Sequence, residues 1–213
     1  MPPATVPGSS APLAAASATA LLGALRRKHA STATHSEAVV ELARTVAAEL
    51  ELGPGQRRDV ELAALLHDVG KIAIAEEVLE KPGPLDDSEL AIVHRHTIHG
   101  ERLVRSMPGL WHIAPLVRAS HERWDGFGYP DGLAGEKIPL ASRIVFACDA
   151  LDAMISDRSY RRAMPHSVAL TELAAGAGHQ FCPISARALI AVADGPFRRL
   201  RRRRSRLLPD HPH

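Results

Sequence analysis

The sequence predicts an all-α fold built as one domain, and three observations carry the prediction. Apolar residues recur at helical spacing in several separate segments. Only 4% of the 213 residues are aromatic while 46% are hydrophobic, so Ala, Leu, Val and Ile must fill the core, a composition that favours helices over sheets. No pair of alternating segments offers convincing strand pairing.

Residues Met1 to Leu22 are rich in Pro, Ala and Ser and read as a disordered leader or as a fragment boundary, with little core in Gly8 to Ser17. The nearby basic cluster Arg26-Arg27-Lys28 follows the apolar stretch, the wrong order for a signal peptide. Leu21 to Leu25 starts a first short helix. Thr34 to Leu50 is a clear helix, with Val39, Val40, Leu42, Ala43, Val46, Ala47 and Leu50 on its apolar side, and Leu52-Gly53-Pro54-Gly55 stops it. Arg57 to Asp68 forms the next helix, with Gly70 as its C-cap. A loop through Pro82-Gly83-Pro84 leads to Asp87 or Ser88, which caps a helix running to Met107. A short helix spans Ile113 to Glu122. Trp124 to Pro139 is too rich in Gly and Pro to be anything but loop, and its length marks it as functional. Helices over Ala141 to Ser156, Ser167 to Ala175 and Ser185 to Val192 close the domain, which is expected to occupy residues 23–197.

The formal net charge of +2 says little about partners. A basic tail over 198–213 contains Arg198-Arg199-Leu200-Arg201-Arg202-Arg203-Arg204 and then Arg206; it is either a solvated tail or a contact for nucleic acid, anionic lipid or an acidic partner. The cysteines, Cys148 and Cys182, show no metal-ligand spacing, so a reducing cytoplasm is the expected location. No apolar run approaches the roughly 18 residues that a membrane span needs.

The chemistry is carried by histidines and acids. The chain has 12 histidines. His67-Asp68 stands at a helix end, followed by Gly70-Lys71. A carboxylate has two oxygens and can bridge two cations, and imidazole supplies a neutral nitrogen. Bridging suits the spacing of about 3.5–4 Å that two-metal phosphoester hydrolysis uses. His35 starts the preceding helix. His94, His96 and His99 lie on the next long helix, where 96 and 99 are neighbours and His94 faces elsewhere. His121 precedes Glu122 and the glycine-rich loop. Asp149 sits in an otherwise apolar helix, where an unpaired carboxylate would be costly. Together these form an N/O site suited to Fe, Mn or similar ions. Lys71, Arg158, Arg161 and Arg162 are phosphate-binding candidates. Phe127 and Tyr129 either stack on a base or anchor the loop to the core.

Four segments resemble the HD-GYP family, the bacterial branch of the HD phosphohydrolases that hydrolyses cyclic di-GMP. They are LLHDVGKIAI at Leu65 to Ile74, KPGPL at Lys81 to Leu85, HERWDGFGYPDGLAGEKIPLASRI at His121 to Ile144, and DALDAMISDRSYRRAM at Asp149 to Met164. The resemblance implies an HD-type helical bundle and a metal centre of two divalent ions, iron or manganese. Its implied ligands are His35, His67, Asp68, His96, His121 and Asp149. His96 is matched rather than His99 because the family histidine precedes a glycine, here Gly100, by four positions. Lys71, Arg158 and Arg161 match phosphate-contacting positions, and Tyr129 is the tyrosine of the Gly-Tyr-Pro triplet beside the nucleotide. His67, Asp68 and Lys71 are the implied catalytic residues. Ser120 stands where the family usually has a first of two histidines, so the second ion is expected to be held weakly. Ser31 stands where some members have a glutamate, which argues for two ions at most. Phe181-Cys182-Pro183 replaces a Phe-Asp-Pro stretch.

The expected function is hydrolysis of a cyclic dinucleotide, cyclic di-GMP first, to linear pGpG or GMP. The alternatives are a weak or inactive domain that binds the nucleotide and signals through protein contacts, and an HD phosphohydrolase acting on another nucleotide. A separate sensor or signalling protein and a second copy of the chain are the candidate partners.

Overall fold

The computed structural model describes residues 10–157 and 162–194. The helices are α1 (Ser10–Lys28), α2 (Ala30–Glu49), α3 (Pro54–Leu66), α4 (Glu76–Leu79), α5 (Asp87–His94), α6 (His96–Ser106), α7 (Ala114–Arg118), α8 (Leu140–Ile155), α9 (His166–Ala175) and α10 (Pro183–Asp194). Short 3-10 turns cover Val69–Ala73, Ala119–His121 and Gly135–Lys137. No strand occurs among the described residues; Ala177 and Phe181 form an isolated bridge. The all-α expectation is met. The basic tail expected from residue 198, and Arg158 and Arg161, lie outside the described residues.

The larger core joins α2, α3, α8, α9 and α10 through Leu42, Val46, Val60, Ile144, Leu151, Leu173 and Leu189, all essentially solvent-free. Burying one such side chain contributes about 1.5–3 kcal/mol. A second cluster joins α1 to Leu66, Val69, Val104, Leu110, Ile113 and Val117.

The first helix corrects the leader expectation. Helix α1 already includes Ser10, well before Leu22. Ala14, Ala18, Leu21 and Leu25 recur on one helical face and are buried. Half of the stripe is alanine, so it looked like low complexity. Alanine is nevertheless the strongest helix former, and its small side chain lets α1 pack closely. Ser17 Oγ donates to Pro108 O at 2.9 Å. At the far end, Lys28 Nζ donates to Ile72 O at 2.6 Å and Ile74 O at 3.0 Å.

Two of the other boundaries that differ do so for one reason. The helix expected from Asp87 to Met107 breaks at Arg95 into α5 and α6, with Asp86 rather than Asp87 or Ser88 as N-cap. His96 Nδ1 donates to Val93 O at 2.7 Å and Thr97 Oγ1 to His94 O at 3.0 Å. Side chains thus take carbonyls that helical N–H groups would otherwise use. Likewise α3 stops at Leu66, and His67 Nδ1 donates to Ala64 O at 2.7 Å. Gly70 is therefore not a C-cap. A Cβ there would lie 1.8 Å from His96 O and 2.4 Å from Gly100 N, so the glycine is what lets α6 come against the 69–73 turn.

No helix among the described residues is long and apolar enough to cross a membrane. Cys148 and Cys182 are free and buried.

Candidate metal centre

Each histidine of the centre is placed by a helix end or by a neighbouring carboxylate. A carbonyl oxygen can only accept, so the bonds from His67 Nδ1 to Ala64 O and from His96 Nδ1 to Val93 O fix the proton on Nδ1. Each Nε2 is then a bare lone pair. Both are buried without a hydrogen-bond partner, as are His121 Nε2 and Asp68 Oδ1. Four orphaned polar atoms would each cost free energy in a dry interior. Their grouping is what a cation site requires.

Asp68 lies at the middle, 1% exposed. Its two oxygens face different partners. Oδ2 lies 3.4 Å from His67 Nε2 and takes Lys71 Nζ at 2.7 Å. Oδ1 lies 3.2 Å from His96 Nε2 and 3.7 Å from His121 Nε2. Two groups of candidate ligand atoms have mutual distances within 4.8 Å: His35, His67 and Asp149, and His67, Asp68 and His121. One imidazole nitrogen has one lone pair, so His67 can serve only one ion. His96, placed on Asp68 Oδ1, completes the second group. The donor set of imidazoles and carboxylates fits a divalent transition ion.

The electrostatics agree. Burial alone would raise the Asp68 pKa, but the Lys71 ammonium overcomes it and holds the carboxyl well below the usual carboxylate range. Burial would likewise raise Asp149, yet the hydrogen bond from His35 holds it down. Burial pushes His121 down to about 4 despite its contact with Asp68, leaving a neutral ring with a free lone pair. His35 goes the other way. Burial lowers it, but hydrogen bonds to Asp149 and Asp152 prevail and push it up to about 10.

The glycine-rich loop forms one wall of the centre. A Cβ on Gly128 would sit 2.2 Å from Arg123 N and 2.6 Å from His121 O, so only glycine lets the loop fold back on His121. Tyr129 N then donates to His121 O at 3.2 Å. The Tyr129 ring stacks on His94 at 3.8 Å and on His121 at 5.2 Å between centroids. Tyr129 is thus an anchor of the loop, and His94 faces it rather than pointing elsewhere. Phe127, 84% exposed, is the loop aromatic with an open face. Buried Glu122 accepts from Asp131 N at 2.7 Å and Leu133 N at 3.0 Å. Arg118 holds Asp131 through two bonds of 2.7 Å and Glu101 through one of 2.8 Å.

The structure therefore brings His35, His67, Asp68, His96, His121, Asp149 and Lys71 to one place. Ser120 is fully buried, and its Oγ donates to Val117 O at 2.8 Å. The sequence reading missed Asp152, whose Oδ2 lies 2.7 Å from His35 Nδ1. It also missed His94 as a stacking partner and Arg118 and Glu122 as loop staples. The signal for Asp152 was present: it follows Asp149 by three residues in an apolar helix, the spacing that puts both on one face.

A model of the HD domain family matches residues 11–183. The chain belongs to the HD domain family. HD-GYP proteins are among its relatives, as the segment resemblance implied. The cyclic di-GMP phosphodiesterase response regulator RpfG of Xanthomonas campestris pv. campestris is 41% identical over 172 residues, covering 80% of this HD domain chain and 46% of RpfG. The 3'3'-cGAMP-specific phosphodiesterase 3 of Vibrio cholerae serotype O1 is 38% identical over 139 residues, covering 65% and 30%. This HD domain chain thus spans less than half the length of these curated relatives. The fold is shared with the structure of Bd1817, a HDG"Y"P protein from Bdellovibrio bacteriovorus, at a TM-score of 0.62 and 21% identity over 76% of this chain and 52% of that one.

Proposed function

We propose that the chain is a metal-dependent phosphodiesterase that hydrolyses a cyclic dinucleotide, cyclic di-GMP in the first instance, to linear pGpG and onward to GMP. The observation that carries this reading is the set of orphaned buried atoms, His67 Nε2, Asp68 Oδ1, His96 Nε2 and His121 Nε2, around a carboxylate with both oxygens turned to different imidazoles. The names of the curated relatives support the substrate class.

In this reading His35, His67 and Asp149 hold one ion, His96 and His121 the other, and Asp68 contributes to both. Iron or manganese suits the donors. Bound divalent ions supply Lewis acidity toward phosphoryl oxygens and lower the pKa of water. The chain's own residues do the rest. Asp68 fixes the distance between the two halves of the centre. Lys71 Nζ, at 2.7 Å from Asp68 and 23% exposed, is at the edge where a phosphate oxygen arrives, and neutralises charge there. Arg158 and Arg161, which follow α8, add guanidinium contacts. Tyr129 lines the site beside the nucleotide, and Phe127 offers a stacking face. A cytoplasmic location goes with such a substrate.

A second reading keeps nucleotide binding without hydrolysis. The buried Ser120 hydroxyl favours it, because its proton is committed to Val117 O and the second ion lacks a fourth protein donor. The test is turnover of cyclic di-GMP, 3'3'-cGAMP and a nucleotide phosphomonoester by purified protein across added Mn. Hydrolysis of a cyclic dinucleotide, abolished in Asp68→Ala, is the expected result. Intact nucleotide binding with no turnover at saturating Mn would replace the enzyme by the receptor.

A further inference from the structure

His35 differs from the other placed imidazoles. His67 and His96 donate Nδ1 to backbone carbonyls at helix ends. His35 lies inside α2, between Ala30 and Glu49, where the neighbouring carbonyls are engaged in the helix ladder. Its Nδ1 partner comes instead from α8: Asp152 Oδ2, at 2.7 Å. Its other nitrogen, Nε2, lies 2.8 Å from Asp149 Oδ1. One ring is therefore clamped between two carboxylates three residues apart on α8. Asp149 belongs to a candidate ligand group with His35 and His67. Asp152 is 6% exposed, and a carboxylate so placed is costly unless a partner offsets it.

A carboxylate does three things for an imidazole donor. It keeps a proton on Nδ1, so that Nε2 presents its lone pair once a cation replaces the proton that Nε2 now shares with Asp149. It locks the ring plane. It makes the ring a more basic ligand than a carbonyl would. We propose that Asp152 is a positioning residue that holds His35 with Nε2 aimed into the centre, and that it makes the ion held by His35, His67 and Asp149 the more tightly bound of the two. This inference rests on the metal-centre reading above and adds an order of affinity to it. Among the described residues, His96 Nδ1 meets a backbone carbonyl and His121 Nδ1 lies 3.9 Å from Asp149 Oδ2, too far for a hydrogen bond; the second group also stands beside Ser120. It is the loosely held one.

The test is Mn titration of metal-stripped protein, followed calorimetrically, for wild type, Asp152→Ala, Asp152→Asn and Asp68→Ala. Wild type shows a tight and a weak step. Asp152→Ala weakens the tight step 10–100-fold and leaves the weak step in place. Asp152→Asn falls between, because its amide oxygen still accepts from Nδ1 while the charge is gone. In zinc-loaded, nitrogen-labelled protein the His35 Nδ1 proton is seen as a slowly exchanging signal in wild type and in Asp152→Asn, and is lost in Asp152→Ala. A tight step unchanged in Asp152→Ala overturns the inference and leaves the metal centre standing. So does equal weakening of both steps with a lowered melting temperature, which would mark Asp152 as structural only. Wild type that binds no Mn, or Asp68→Ala that binds it as wild type does, would remove the centre itself and the inference with it.

Discussion

His96 Nδ1 donates to the Val93 carbonyl oxygen across the break between α5 and α6, at 2.7 Å. The same ring thus ends one helix and presents Nε2 to Asp68 at 3.2 Å. The first prediction follows from this double role. In His96→Ala the second ion loses an imidazole, whereas the His35, His67 and Asp149 group is untouched. Elemental analysis should find about one equivalent fewer of Fe or Mn than in wild type, by the one-donor-set-per-ion logic of a two-ion centre. Retention of both equivalents would show that His96 holds no metal.

Glycines separate packing from flexibility. Gly70→Ala drives a Cβ to 1.8 Å from one backbone atom and 2.4 Å from another. Neither can move without shifting α6, so the expected loss is on the order of 3 kcal/mol, together with most of the bound metal. Gly55, inside α3, has nothing within 4 Å of such a Cβ. There alanine should stabilise by up to about 1 kcal/mol through helix propensity and the unfolded chain. Urea unfolding of the two variants in metal-free buffer distinguishes the cases. Equal effects would mean that close approach is not what Gly70 provides.

The loop clamp should be acid-sensitive. Arg118 hydrogen bonds hold Asp131 below its ordinary value of 3.8. Burial would raise Glu101, but Arg118 and Arg105 hold it below its ordinary 4.5. Depressed carboxyl pKa values mean that the unfolded chain takes up protons first as pH falls. The stabilisation is therefore fully present above those ordinary values and is lost as pH drops through the lower, folded ones. The melting temperature of Arg118→Ala should lie below wild type at pH 7, and the gap should narrow below about pH 4. A gap independent of pH would assign Arg118 to packing alone.

How much of this was legible in the sequence depends on what kind of interaction sets each feature. The candidate ligand residues were visible because His67-Asp68 and Asp149 sit at positions that propensity and burial cannot explain, and because the segments around them resemble the HD-GYP family. The break at Arg95 was invisible, because it is made by side chains of His96 and Thr97 capturing carbonyls, and helical periodicity continues across it. The α1 helix was misread because alanine in a Pro- and Ser-rich segment looks like a linker until something packs on it. Gly70 was assigned to a helix end because sequence shows a glycine after a helix and not the helix α6 lying against it. Asp152 was overlooked beside Asp149 because its role exists only through His35, more than a hundred positions away.

The last prediction concerns Ser120. Its side chain is fully enclosed and donates to Val117 O at 2.8 Å, from the 119–121 turn back onto α7. In the proposed centre this would leave the second ion with His96, His121 and a shared Asp68 oxygen as protein donors. Water completes such a shell at a cost in affinity. Ser120→His adds an imidazole beside His121. Ser120 is fully buried, so part of the gain is spent on repacking around the larger ring. Hydrolysis of cyclic di-GMP by the variant should exceed wild type at low added Mn and converge with it at saturation. The apparent Mn affinity should rise about tenfold or more, at least roughly 1.4 kcal/mol. The tight step assigned to His35, His67 and Asp149 should not move. Parallel curves for the two proteins at every Mn concentration would show that position 120 does not face the metal. A variant that turns over substrate where wild type at saturating Mn does not would show that the missing imidazole, rather than the loop or the nucleotide contacts, is what silences the natural domain.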